Sequence, residues 1–436
     1  MTKKTEYTGL GSFSHGLAPV ARNGKWGYIN TSGEEVIECK FRQTGLDCFN
    51  EYGYVQVRAE TGKYGVIDRS GNYVVKPEYE YIRLINNSPL VYAHRHLSLQ
   101  KTSRPIAINP KKENQILGKF VSIGGGMIPY ATNGYVPVKN DEGRWGLINE
   151  DGSLMLPFIY DTIDCYNYGR CENDVTGNYF VASSGGKITE LYDDEVHYQG
   201  GKYGLITAAG EVILDFKYDE LYYASDDCII IGKGKRRETR KYGVITLGGK
   251  TVLPCKYSDI YVGDGTICFE DLDTGKCGWA DIYGNILVQP KFYRASFLTG
   301  FSDGLMAVKQ RYFKYRGKVG YVNKAGELVI PFTFAVNHNT PAWVGDFHDG
   351  LADYALSNYD RGWIDKKGEV VIPPIYFTGC IKFGKDGLIP VWLGDEGFYI
   401  DRTGTRCLPH VAATGGLKYI EALRKQDEEY EEKLFY

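Results

Sequence analysis

Methionine is scarce in this chain, 4 of 436 residues, and proline reaches only 16. So little proline, with no Gly-X-Y period, excludes a collagen-like rod. No apolar run approaches the length of about eighteen residues that a membrane-spanning helix needs, so no membrane span is expected. Neither sign of charge dominates, since 51 Lys and Arg face 54 Asp and Glu. That balance excludes a broad basic track, and nucleic acid is not the expected partner. The N-terminal MTKKTEYTGLGSF has no apolar core for a secretory signal, so a cytoplasmic location is expected. None of the 10 cysteines forms a Cys-x-x-Cys pair, which argues against zinc and thioredoxin-like chemistry. Most of them read as small buried hydrophobes.

Catalytic motifs are missing too. There is no G-x-x-x-x-G-K-[ST] loop and no H-E-x-x-H. Gly124-Gly125-Gly126 is not followed by a helical pattern. Ser184-Gly185-Gly186-Lys187 lacks the companion motifs of a Ser-x-x-Lys enzyme and reads as a turn. His94 and His96 share a strand face without a third ligand at suitable spacing. The expectation is a protein that is not an enzyme, with no cofactor and no metal.

Glycine and tyrosine are in excess, at 54 and 36 residues. Together they point to many short strands joined by tight turns. The excess traces to one recurring phrase, KWGYINTSG in its first copy. Its leading positions and closing glycine are Trp26, Gly27 and Gly33; Tyr64, Gly65 and Gly71; Trp145, Gly146 and Gly152; Tyr203, Gly204 and Gly210; and Tyr242, Gly243 and Gly249. Altered copies carry Trp279 with Gly284, Tyr321 with Gly326, Trp363 with Gly368, and Tyr399 with Gly404. A degenerate copy falls near 103–120, around Ile108-Asn109, and an extended one near 153–201. About ten units of roughly 35–42 residues result.

Each unit reads as three strands. GLAPV and its equivalents lie upstream, the phrase is in the middle, and an apolar strand such as EVIEC follows. Asn or Asp three residues before the closing Gly can bond a backbone N–H two residues on, while the Gly supplies the left-handed conformation of a hairpin with a bulge. Proline five or six residues past the Gly stops the third strand or confines it to an edge. An aromatic eight residues past the Gly anchors the crossover to the next unit. Within the middle strand the ring moves between two positions of one face, from Trp26 and Tyr64 to Trp279 and Trp363, so each unit keeps a ring in a shared core.

The units resemble WG repeats, also called KWG repeats, a bacterial family, over roughly residues 10–410. The literal Trp-Gly survives only at Trp26-Gly27 and Trp145-Gly146. The resemblance implies tandem β-hairpin units, an interaction or ligand-binding role, and no catalytic residues to carry over. The expected fold is all-β: hairpin repeats over 1–414 stacked as an open superhelical solenoid array, with a C-terminal capping α-helix over 415–436. One or two closed propellers are the alternative. The C-terminal helix is acidic, with Ile420, Leu423, Tyr430 and Leu434 near one face.

Two segments are candidates for contact with an anion or a partner. One is the basic stretch Lys233, Lys235, Arg236, Arg237 and Arg240. The other is the insertion in the extended unit. The expected function is a non-enzymatic repeat scaffold that binds a protein or another extended ligand. The alternative is a polysaccharide or cell-wall polymer module that stacks sugars on exposed aromatics.

Overall fold

The structure, a computed structural model, describes residues 5–42, 48–95, 105–111, 115–120, 122–123, 131, 134–164, 179–190, 196–225, 227–234, 239–295, 300–309, 317–336, 344–355, 360–378 and 382–415. Among these residues the chain is all-β, a succession of small antiparallel sheets with no α-helix. The helix expected over 415–436 lies outside the described residues, apart from Gly415.

One copy of the phrase makes a three-stranded meander. Leu17–Arg22 pairs with Lys25–Asn30, which pairs with Glu35–Phe41. The turn between the last two forms as its residues dictate. Asn30 Oδ1 accepts from Ser32 N at 3.0 Å and from Glu34 N at 2.9 Å, and Gly33 stands at φ 82°. Asp68, Asn149, Asp281, Asn323, Asp365 and Asp401 accept the same pair of bonds. Thr207 and Thr246, with one oxygen on a shorter side chain, take the farther donor.

Two features differ from the three-strand reading. A fourth strand precedes the meander in several repeats, as where Glu220–Ser225 pairs with Cys228–Lys233 in the sixth. The degenerate copy has it too, with Tyr81–Leu84, Val91–His94, Ile106–Asn109 and Gln115–Lys119 in sheet order. Proline, moreover, does not end the third strand. Pro77, Pro157 and Pro254 lie inside Tyr73–Tyr79, Leu154–Tyr160 and Thr251–Tyr257, each the last strand of its sheet. An edge strand tolerates the missing N–H because nothing pairs on that side.

The first glycine of the phrase has a reason that the sequence reading lacked. Trp26 faces Phe41 and Tyr28 faces Ile37, so the outer strand carries two extra residues at that point. The resulting bulge presses its backbone against the glycine. A Cβ on Gly243 would stand 2.7 Å from Leu253 O and from Cys255 N. Gly27, Gly65, Gly146, Gly204, Gly278 and Gly362 face equivalent backbone atoms.

The core lies between successive sheets. Ile229, Ile231 and Ile245 of the sixth repeat pack on Leu205 and Leu214 of the fifth, whereas Ile230, Tyr242 and Val244 pack on Ile260, Ile267 and Phe269 of the seventh. The middle strand is thus buried on both faces, as its apolar run requires. Where the ring has moved to the second position it is fully enclosed: Tyr28, Trp279, Tyr321, Trp363 and Tyr399 are buried. At the first position Trp26, Tyr64, Trp145 and Tyr203 are half-buried, while Tyr242 is buried.

The chain divides into two compact units, residues 1–77 with 313–319 and 332–436, and residues 78–312 with 320–331. In the first unit the two ends of the chain meet. Strand Thr5–Tyr7 pairs in parallel with Val411–Thr414, and Tyr399 Oη donates to Gly11 O at 2.7 Å. Tyr7, Leu10 and Phe13 share a core with Tyr399, Val411 and Ala413. The last repeat, expected to be an open end beneath a helix, is instead covered by the first. Stacking alone explains why. An exposed apolar sheet face gains more from a second sheet than from solvent, and loop-closure entropy grows only slowly with length.

Candidate partner-binding surface

The outer strands of eight repeats can be read position by position. In seven of them the third residue is buried in the core: Ile37, Val75, Leu156, Leu214, Leu253 and Ile372 are at most 6% exposed, with Ile330 at 2%; in the eighth, Val288 is half-buried. The residue before it is also apolar in every case, namely Val36, Val74, Met155, Ile213, Val252, Leu287, Val329 and Val371. It stands on the opposite side of the strand: Val36, Met155, Leu287, Val329 and Val371 are exposed, whereas Val74, Ile213 and Val252 are half-buried, the last two against the core. Leu287 is 49% and Val36 46% exposed. The first strand residue adds Leu154, Val212, Ile286, Leu328 and Val370, all exposed. An exposed aliphatic pair therefore opens four of the outer strands: Leu154 with Met155, Ile286 with Leu287, Leu328 with Val329, and Val370 with Val371.

An edge of this kind invites strand-to-strand association, and the sequence blunts it in two ways. Proline interrupts the N–H row in most outer strands, such as Pro254 in Thr251–Tyr257. The two outer strands without proline, Glu35–Phe41 and Val212–Tyr218, carry opposite charges at the same place, Glu38 with Lys40 and Asp215 with Lys217. Replacing Pro254 by Val, or Asp215 and Lys217 together by Thr and Val, is expected to raise self-association at least several-fold. Light scattering at matched concentration measures it, and unchanged scattering would refute the protective role.

The basic stretch separates into two parts. Arg240 is taken up internally. Its guanidinium lies 2.8 Å from Glu220 Oε2, its Nε donates to Gly234 O at 3.0 Å, and Tyr242 Oη donates to the same carboxylate at 2.6 Å. Lys233 is exposed and ends a strand. Lys235, Arg236 and Arg237 lie outside the described residues. One pair of related contacts went unread in the sequence. The acid directly after the anchor aromatic, Asp161 or Asp219, binds the cation that opens the phrase, Arg144 or Lys202. Each also accepts a backbone N–H at 2.7 Å, from Gly186 and Gly234 respectively. The signal was an acidic residue nine past the closing Gly.

These bonds set a pH dependence. Burial pushes the Glu220 carboxyl up, but hydrogen bonds from Tyr222, Tyr242 and Arg240 outweigh it, leaving the group below its ordinary 4.5. The Gly234 N–H and Lys202 hold Asp219 below 3.8. A lowered folded pKa contributes stability that is present above the ordinary value and lost as pH falls through the lowered one. Urea unfolding midpoints should therefore drop steeply below about pH 4.5, and Glu220→Gln should flatten that drop while lowering stability at pH 7. An equally steep drop in the variant would assign the effect elsewhere.

The other candidates resolve simply. Ser184 to Lys187 is a turn with Gly185 at φ 83°. His94 Nε2 lies 2.6 Å from Tyr92 Oη, and His96 lies outside the described residues. Among the described residues no group of His, Cys, Asp or Glu is arranged to hold a metal ion. In the extended unit Lys187–Glu190 pairs with Val196–Gln199, and Ile188 is 62% exposed, while residues 165–178 and 191–195 of the insertion lie outside the described residues. Burial pushes the thiols of Cys268 and Cys277 up to about 11 and about 12. No helix among the described residues is long and apolar enough to cross a membrane.

A family model for WG-containing repeats matches residues 4–26, 26–63, 64–91, 145–179, 203–236, 320–356 and 362–391, just over half of the chain. The chain belongs to the WG-containing repeat family. Its matched copies include those whose tryptophan has become tyrosine, because the bulge and turn impose their pattern on the glycines and on the Asn, Asp or Thr. No curated protein matches this WG repeat protein. Among solved structures it is similar to the computationally designed Ika8 protein, at 13% identity over 70% of this chain and 94% of that one, with a TM-score of 0.30. A eukaryotic initiation factor gives 11% identity over 83% and 85%, with a TM-score of 0.40. BamB from Moraxella catarrhalis gives 9% over 91% and 94%, with a TM-score of 0.34. These likenesses are too remote to carry a conclusion.

Proposed function

We propose that this WG repeat protein is a non-enzymatic scaffold, acting in the cytoplasm, that binds a protein partner or another extended ligand along the outer strands of its repeats. The observation behind this reading is the exposed aliphatic pair at the start of four outer strands, with a single exposed aliphatic, Val36 or Val212, on two more. Folding gives no reason to keep apolar side chains on the solvent side of an edge strand, because polar residues form the same strand without the hazard of aggregation. Repetition at a fixed register suits a long ligand that gains a little from each repeat.

Sugar stacking rests on exposed rings. Among the described residues Tyr73 and Tyr283 are the aromatics with large exposure, at 40% and 76%, and they belong to different repeats. A protein partner has the better support.

The test is affinity purification of the tagged full chain from its native cell, beside Leu154→Ser/Met155→Ser and Leu328→Ser/Val329→Ser variants. A specific partner whose recovery drops at least tenfold in the variants, with thermal unfolding unchanged, is the expected result. Equal recovery by the variants, or nothing above background with the native chain, would overturn the reading.

A further inference from the structure

The fifth to seventh repeats add a second feature to the outer strands. Each of their outer strands approaches its end with an exposed lysine beside the anchor ring: Lys217 by Tyr218, Lys256 by Tyr257 and Lys291 by Phe292. The ammonium groups lie 5.6, 5.2 and 5.1 Å from the ring centres, so each cation is held over its own aromatic face. At the same end of the sixth sheet, Lys233 stands directly opposite Lys241, and the next residue, Tyr242, stands opposite Tyr257. Like charges opposed across two strands are destabilising. Arg240 and Lys202 are neutralised by Glu220 and Asp219, and Lys217 lies 3.3 Å from Asp215. Lys233, Lys241, Lys256 and Lys291 have no ion pair among the described residues.

We infer that this lysine-lined end, together with the aliphatic start of the same strands, docks an acidic segment of a protein partner. The inference rests on the scaffold reading and names the chemistry the scaffold selects. Carboxylates relieve the Lys233–Lys241 opposition and meet Lys256 and Lys291. The exposed Val212, Ile286 and Leu287 stand four or five residues back from Lys217 and Lys291, at most about 13–17 Å, since the bulge between them shortens the path. One ligand therefore has to supply negative charge at one end and apolar side chains at the other. A polypeptide does so, whereas a nucleic acid offers no aliphatic group at that distance.

The experiment uses the full chain in its native cell, with benzoylphenylalanine placed at Val212, at Leu287, or at Val370 on an outer strand of the other unit. Irradiation, digestion and mass spectrometry identify the segment captured. Adducts at Val212 and Leu287 with segments of net negative charge are expected, falling at least tenfold in Lys241→Glu/Lys256→Glu/Lys291→Glu while thermal unfolding is unchanged. Adducts that persist in the triple variant, or that map to neutral or basic segments, overturn the inference. So do adducts removed by nuclease, or flotation of the chain with phosphatidylglycerol vesicles that the triple variant abolishes. Adducts at Val370 without any at Val212 and Leu287 leave the scaffold standing and remove this inference. Silence at all three positions removes both.

Discussion

Gly243→Ala is expected to destabilise the protein by about 3 kcal/mol or more, and Gly249→Ala by about 1–2 kcal/mol, although the two glycines belong to one hairpin. The costs differ in kind. At Gly249 the backbone has φ 77° and the added methyl meets no atom within 4 Å, so the cost is that of a left-handed L-residue. At Gly243 the methyl is driven into Leu253 O and Cys255 N, backbone atoms of the bulged outer strand. A flexible side chain can swing away, but here the strand itself has to shift, and with it the buried Leu253 and Tyr257. Denaturant unfolding of the two variants beside the native chain measures both. Equal losses would remove the bulge as the reason for this glycine and for its equivalents at Gly27, Gly65, Gly146, Gly204, Gly278 and Gly362.

Deletion of residues 1–10 is expected to cost about 3–6 kcal/mol, from the burial of Tyr7 and Leu10 alone. Both are enclosed, at 1% and 7% exposure, against the last repeat. The deletion also leaves Val411–Thr414 without its parallel partner and uncovers part of the face on which Val411 and Ala413 lie. Hydrogen exchange should quicken first along Val411–Thr414 and Glu396–Ile400, with the denaturation midpoint lowered. Native-like protection there, with an unshifted midpoint, would mean that the meeting of the chain ends contributes nothing to stability.

The hairpin was legible because its determinants are local. Asn30 and Gly33 form their turn with bonds no more than four residues apart, and the nine described copies of the turn repeat the solution in their own residues. Burial of the middle strand was legible from an apolar run with no polar side. The edge position of the third strand was half legible, since proline admits either a stop or an edge and only the missing neighbour decides between them. The exposed aliphatic pair went unread for a physical reason. VVI, LML and ILV look like strands buried on both faces, and nothing local says that one side has no sheet to cover it. Among the basic residues the sequence treated Arg240 as equivalent to Lys233. Glu220, brought alongside by strand pairing, took one of them out of solution.

The sequence by itself determined the repeated unit, its strands and turns, and the positions of its rings, because each depends on contacts within about forty residues. Only the tertiary structure decided three things: that the first repeat covers the last, that the glycine beside the tryptophan faces a bulge, and that apolar residues at the outer edge remain in solvent. Each turns on which surface lies against which, and strands far apart or absent altogether settle that.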